Sequence, residues 1–280
     1  MAGIDLRGLL HQGGTAADWQ NLGLWPAPDQ PQPDYAGACS ALALRVGTAA
    51  GIQAGERVLS IACGAGEELD LWTHAYGAAQ PIGLEPDARA CAVGVTRGRH
   101  IIHGGLAQSP PAGFQRVLCV DAAYHLSPRR DFLRAAHAAL LPGGTLAFTD
   151  LVVDRPMSAV MRAAARVCGI NPHELLDVDA AMARIGDAGF TAVRCERLDD
   201  SVLEGFRRFA SAQSRRIGLL RLHTAWWPAA VTAGGVIPGR HRGLGYALFV
   251  ASRDTDACNA ITAASADRTA LSSSGIPGCA

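Results

Sequence analysis

At 280 residues, nearly half of them apolar, the chain has material for one large domain or a domain with an inserted cap. Its 25 basic residues balance its 25 acidic ones, so no general field draws in nucleic acid or an anionic membrane, and a small-molecule partner is expected. Every basic residue is arginine, which excludes lysine Schiff-base chemistry and an ordinary pyridoxal-phosphate enzyme. Eight cysteines, at positions 39, 63, 91, 119, 168, 195, 258 and 279, form no CxxC pair and read as apolar fillers in a reducing compartment. The opening MAGIDLRGLLHQGG has too short an apolar run for a signal peptide, and no stretch reaches ~18 apolar residues. A cytoplasmic protein with no membrane partner is expected; its oligomeric state is not legible.

Residues 1–36 carry Trp19, Trp25 and Tyr35 among glycines and the proline-rich PAPDQPQPD, and read as an N-terminal arm or lid outside the regular core. From Gly37 to Ala50 apolar residues recur at helical spacing. Val58, Leu59 and Ile61 then suit a strand buried on both faces, which breaks at Ala62-Cys63-Gly64-Ala65-Gly66. Glycines at 64 and 66 lack the Cβ atoms that keep main-chain N–H groups away from a ligand. Glu67, Glu68 and Asp70 fall in the first turn of a following helix, where carboxylates complement its dipole. Strand, glycine turn and helix make a cofactor crevice of the doubly wound α/β kind.

Gln80 to Glu85 reads as a short strand ending in an acid, and Glu85 follows Gly66 by 19 residues. That is close to the ~20-residue spacing of a ribose-binding carboxylate. Pro86 is placed to lie against an adenine face. His100 to His103 is a weak third strand, with a turn at Gly104 to Ala107. Gln115 to Asp121 is the fourth, and Ala122-Ala123-Tyr124-His125 follows it. A helix starting at Ser127-Pro128 shows an apolar face of Phe132, Leu133, Ala136, Leu140 and Leu141 and stops at Pro142-Gly143-Gly144. Thr145 to Leu151 is the fifth strand. Helices are expected over 158–167 and 180–188, a sixth strand over 192–197, and a helical, arginine-rich cap bearing Trp226 over about 198–243. A seventh strand over 246–252 is expected antiparallel at the sheet edge. Residues 254–280, rich in Ala, Ser, Thr and Gly, read as a disordered tail.

The loop with small residues at 62, 64 and 66 resembles motif I of class I methyltransferases that bind S-adenosylmethionine. The run of helix, Leu140-Leu141-Pro142-Gly143-Gly144 and a strand ending in Asp150 is a second resemblance to that family, and with Glu85 the likeness covers about residues 55–153. It implies a mostly parallel seven-stranded sheet with an antiparallel last strand, helices on both faces and a helical cap. The methyltransferase domain would span 37–253. It also implies S-adenosylmethionine held by Ala62, Cys63, Gly64, Ala65, Gly66, Glu85, Pro86, Asp121 and Ala122. Asn21-Leu22-Gly23-Leu24-Trp25 resembles the NxGxW stretch that folds over the cofactor in several small-molecule methyltransferases, which makes Trp25 a cofactor candidate. In the family the turn after the third strand often carries an aspartate for the adenine amine. Leu106 stands there, leaving main-chain groups near Leu106 and Ala107 for that contact.

The short Ala122 and Ala123 leave room for a sulfonium, and Tyr124 and His125 lie where a methyl acceptor approaches. His125, just beyond the fourth strand, and Asp150, ending the fifth, are candidates for a base and its orienting acid, as in small-molecule O-methyltransferases that the chain resembles. Tyr124 and Trp226 are substrate candidates. The expected reaction is in-line methyl transfer to a hydrophobic or aromatic small molecule on oxygen, nitrogen or carbon. Asp121 with Asp150 could make a magnesium site, but Leu151 stands where that family places an asparagine, so no metal is assigned. The alternatives are a nicotinamide oxidoreductase, against which the missing third glycine at Leu69 argues, and a degenerate cofactor-binding scaffold, to which Ser60, Ala62 and Leu106 point.

Overall fold

A computed structural model describes residues 18–217 and 243–255. The elements run α1 (Tyr35–Ala50), β1 (Val58–Ile61), α2 (Glu67–Tyr76), β2 (Ile82–Glu85), α3 (Ala88–Thr96), β3 (Ile101–His103) and β4 (Phe114–Cys119). Then come α4 (Arg129–Ala139), β5 (Leu140–Val153), α5 (Ala159–Val167), α6 (Val178–Asp187), β6 (Phe190–Arg197), α7 (Gly205–Ile217) and β7 (Leu244–Arg253). Local chemistry sets several boundaries. Asp34 caps α1 by accepting from Gly37 N at 2.7 Å, and Gly51 closes it in the left-handed conformation. Asp87, Ser158 and Asp177 cap α3, α5 and α6 in the same way.

The strand order is β3-β2-β1-β4-β5-β7-β6. The first five are mutually parallel, and β7 pairs antiparallel with both β5 and β6. The antiparallel last strand is therefore as expected, but it does not lie at the edge: β7 inserts between β5 and β6, and β6 takes the margin. Burial explains the exchange. Tyr246, Ala247, Leu248, Phe249 and Ala251 are all buried, as only an interior strand permits, whereas β6 alternates exposed Thr191, Ala192 and Arg197 with half-buried neighbours.

The fifth strand also begins earlier than its apolar run implied. Leu140 and Leu141 belong to β5, not to the end of α4. Leu140 pairs with Phe114 and Thr145 with Arg116, so residues 141–144 bulge out between two paired positions. Gly144 permits the excursion: a Cβ there would meet Leu141 O at 2.9 Å and Gln115 O at 3.0 Å.

Two apolar layers cover the sheet. On one face Leu42 and Val46 of α1 and Trp72 of α2 pack with Val58, Leu118, Tyr246 and Leu248. On the other Phe132 and Leu133 of α4 and Ile185 of α6 pack with Leu59, Ile61, Val117, Phe148 and Phe249. The arm is not peripheral. Trp19, Asn21 and Trp25 are buried, and Asn21 accepts from Gly23 N while donating to Cys39 O. Trp25 stacks on Phe209 of α7 with centroids 4.6 Å apart, and Arg208 donates to Pro26 O. The expected cap is described only through α7; Trp226 and the rest of 218–242 lie outside the described residues, as do 256–280 of the expected tail.

Candidate active site

The carboxyl ends of β1, β2 and β4 meet at one mouth, and the backbone there is strained. Ala62, just after β1, has φ 56° and Asp121, just after β4, has φ 55°. Left-handed non-glycine residues cost about 1–3 kcal/mol each and persist where the surroundings fix them. In the turn itself Gly64 has φ 59°, and a Cβ there would meet nothing within 4 Å. The loop therefore faces open space at the point where a ligand's polar groups would meet main chain. Gly66 is needed for another reason: a Cβ would strike Ile101 Cδ1 at 2.9 Å. Cys63 turns its sulfur inward against Gly83, whose own Cβ would lie 2.4 Å from it, so only main-chain atoms of Cys63 are available to a ligand.

Glu85 ends β2 beside this loop. Gly64 N donates to its Oε2 at 2.7 Å and Asp87 N to its Oε1 at 2.8 Å. Burial pushes its carboxyl up, and those two amides pull it back. Each oxygen keeps a lone pair for a sugar hydroxyl. Across the mouth Ala62, Leu106, Ala122 and Leu126 are half-buried apolar groups on the α4 side of the sheet, a wall suited to a flat base. Pro86 and Ala107 are exposed at its rim. Arg99 steadies the loop, donating to Ala65 O at 2.7 Å and to Glu67 at 3.0 Å, while Arg97 takes Glu67 at 2.7 Å.

Asp121 closes the arm. Leu22 N donates to its Oδ2 at 2.5 Å, and Tyr124 and Tyr246 hydroxyls donate to its Oδ1 at 2.8 and 2.6 Å. Burial pushes this carboxyl up to about 6 against those three donors. Trp25, expected at the cofactor, is spent on anchoring: its indole is buried on Phe209 and against Gly205, where an added Cβ would lie 2.4 Å from Trp25 Cβ.

The expected pairing of His125 with Asp150 is not what the structure shows. Asp150 is gripped by Arg129, Nε to Oδ2 at 2.7 Å and Nη2 to Oδ1 at 3.0 Å. Strand parity is the reason. Phe148 and Val152, of the same parity as Asp150, belong to the α4 face, while Thr149 points to the opposite face and bonds Tyr246. Burial pushes Asp150 up to about 6 despite the arginine. Arg129 also donates to the carbonyls of Ala123 and Leu126, so the ion pair braces the loop that carries His125. Asp121 and Asp150 thus serve opposite faces and do not form a magnesium pair.

His125 packs 4.5 Å from the Tyr124 ring and hydrogen-bonds the backbone of Gly169, just past α5. One edge of its imidazole is exposed, yet the lost hydration on the other sides lowers its pKa below the usual histidine range. Sequence reasoning missed Arg129, the Leu22 latch on Asp121, and Glu68. Glu68 is fully buried beside Ser60, and its Oε1 has no hydrogen-bond partner.

Residues 59–148 match the family described as a methyltransferase domain. The chain is 27% identical over 216 residues to an erythromycin 3''-O-methyltransferase of Saccharopolyspora erythraea, covering 69% of each chain. The chain carries a methyltransferase domain over residues 59–148 and resembles S-adenosylmethionine-dependent methyltransferases. Two solved structures share its fold. The [4+2]-cyclase SpnF superposes with TM-score 0.70 at 17% identity, over 89% of this chain and 91% of that one. A phosphoethanolamine N-methyltransferase 2 of Haemonchus contortus in complex with S-adenosyl-L-methionine superposes with TM-score 0.64 at 16% identity. The match covers 76% of this chain, which spans about half (52%) of that one. Among the described residues no helix is long and apolar enough to cross a membrane.

Proposed function

We propose that the chain transfers a methyl group from S-adenosylmethionine to a hydroxyl on a hydrophobic small molecule, with His125 taking the acceptor's proton. The observation that carries this reading is the cradle itself: open main chain at Gly64 bonded to Glu85, with the short, half-buried Ala122 across the mouth and the exposed His125 three residues on. The name of the erythromycin relative supports an oxygen acceptor on a large apolar scaffold. S-adenosylmethionine supplies an electrophilic methyl on a sulfonium. Glu85 and the loop amides hold its sugar, and Ala62, Leu106 and Ala122 shelter its base. Positioning alone can account for several kcal/mol of barrier lowering, and a base adds about 10²–10⁴-fold.

His125 suits the base role because its lowered pKa keeps it neutral at physiological pH. Its ring is oriented by Gly169, and the Arg129–Asp150 pair holds the loop beneath it. We place Asp150 as a positioning residue. The arm over 18–25, tied to Asp121 by the Leu22 amide and to α7 by the stack of Trp25 on Phe209, is the lid on the cofactor side. A second reading, a cofactor-binding protein that does not methylate, takes support from the cyclase of the same fold. Labelled-methyl transfer from S-adenosylmethionine to a panel of hydroxylated apolar metabolites separates them: label in an alkali-stable ether supports an oxygen acceptor, and no transfer to any metabolite with cofactor bound supports the second reading.

A further inference from the structure

Glu68 sits in the first turn of α2, and its carboxyl reaches back to Ser60, whose Oγ also accepts from Trp72 Nε1 at 2.9 Å. The Ser60 hydroxyl has one proton to give, and it goes to Glu68. The other oxygen, Oε1, is left fully buried without a partner. A buried unpaired acceptor costs roughly 1–3 kcal/mol, more when charged, so such an atom calls for a donor that arrives with a ligand.

Resting on the reading of this crevice as the S-adenosylmethionine site, we propose that Glu68 is a cofactor-recognition residue. Its Oε1 accepts a hydrogen bond, directly or through one water, from the α-ammonium of the cofactor's amino-acid end, and the carboxyl ionises as that cation enters. The surroundings support the coupling. The groups facing Glu68 are Ser60 of β1, Trp72 and Glu67 of α2, Cys63 of the loop, Glu85 of β2 and Cys119 of β4. None is a cation, and burial with the neighbouring carboxylates pushes Glu68 up to about 8. The guanidinium groups of Arg97 and Arg99, which pair with the neighbouring Glu67, are engaged by Glu67, Asp18 and Asp70. In the free protein the proton is kept at neutral pH; a bound ammonium replaces it, and the proton passes to the buffer.

The test is calorimetric titration of the full chain at pH 7, in buffers of low and high ionisation heat, with two probes. S-adenosylhomocysteine carries the ammonium; 5'-methylthioadenosine keeps the nucleoside and lacks it. The wild type should release about one proton per S-adenosylhomocysteine and almost none per 5'-methylthioadenosine. Glu68→Gln should bind S-adenosylhomocysteine at least about tenfold more weakly without proton release, while 5'-methylthioadenosine affinity stays within about twofold. Retained nucleoside binding also shows that the variant folds. Equal losses for both probes, or proton release unchanged in Glu68→Gln, would overturn the assignment. If the wild type binds neither probe, the S-adenosylmethionine site itself is refuted, which is a different result from binding without proton release.

Discussion

Arg129 holds Asp150 through two parallel hydrogen bonds, 2.7 and 3.0 Å, in the apolar layer between α4 and β5. Removing one partner of such a buried pair strands the other charge. Asp150→Ala should cost about 3–5 kcal/mol in denaturant unfolding. The double variant Arg129→Met, Asp150→Leu should recover most of it. Unchanged stability of Asp150→Ala, with a large fall in turnover, would return Asp150 to direct catalysis.

His125 has a pKa lowered by burial, so its neutral form dominates at neutral pH. Turnover should be flat above about pH 7 and fall as the pH drops through a value below the usual ~6.5 of histidine. His125→Ala should lose that acid limb together with about 10²–10⁴-fold in kcat. Near-normal turnover of this variant across pH 6 to 9 would remove His125 as the base.

The Leu22 amide, bonded to Asp121 at 2.5 Å, reports the arm latch. In Asp121→Ala its hydrogen exchange should accelerate by at least about tenfold, since a charged acceptor worth roughly 1.5–3 kcal/mol is lost. Exchange as slow as in the wild type would mean that packing by Trp25 on Phe209 holds the arm unaided.

How much of this was legible beforehand follows from which signals are local. The glycine loop, Glu85 and the succession of strands along the chain up to β4 rest on residues adjacent in sequence, and they emerge where expected. The place of β7 does not, because a strand's lateral neighbours depend on which surface is left to bury. Its buried run Tyr246 to Ala251 was the available clue. The face of Asp150 could have been counted by parity from Phe148. Arg129 carried no signal of its own, since nothing in sequence separates a buried arginine from an exposed one until its acid is placed. Glu68 read as a dipole-complementing acid. Only the packing of Trp72 over Ser60 shows that it turns inward.

Glu68 also predicts a pH dependence of the free protein. Its folded pKa of about 8 lies above the ~4.3 of an unfolded glutamate, so the folded state binds the extra proton. The stability it contributes is complete below about pH 4 and is lost as the pH rises through 8. Melting temperature of the ligand-free wild type should fall from pH 6 to 9. Glu68→Gln should flatten that fall; parallel curves would show that the side chain does not titrate in this range.

The central claim, that the loop at 62–66 and Glu85 hold an adenosyl donor, is tested most directly by calorimetric titration with S-adenosylmethionine, S-adenosylhomocysteine and NAD. Both adenosyl compounds should bind one per chain, Glu85→Ala should weaken each about 10–100-fold, and NAD should give no saturable heat. Saturable NAD binding, or adenosyl affinity indifferent to Glu85, would contradict the account.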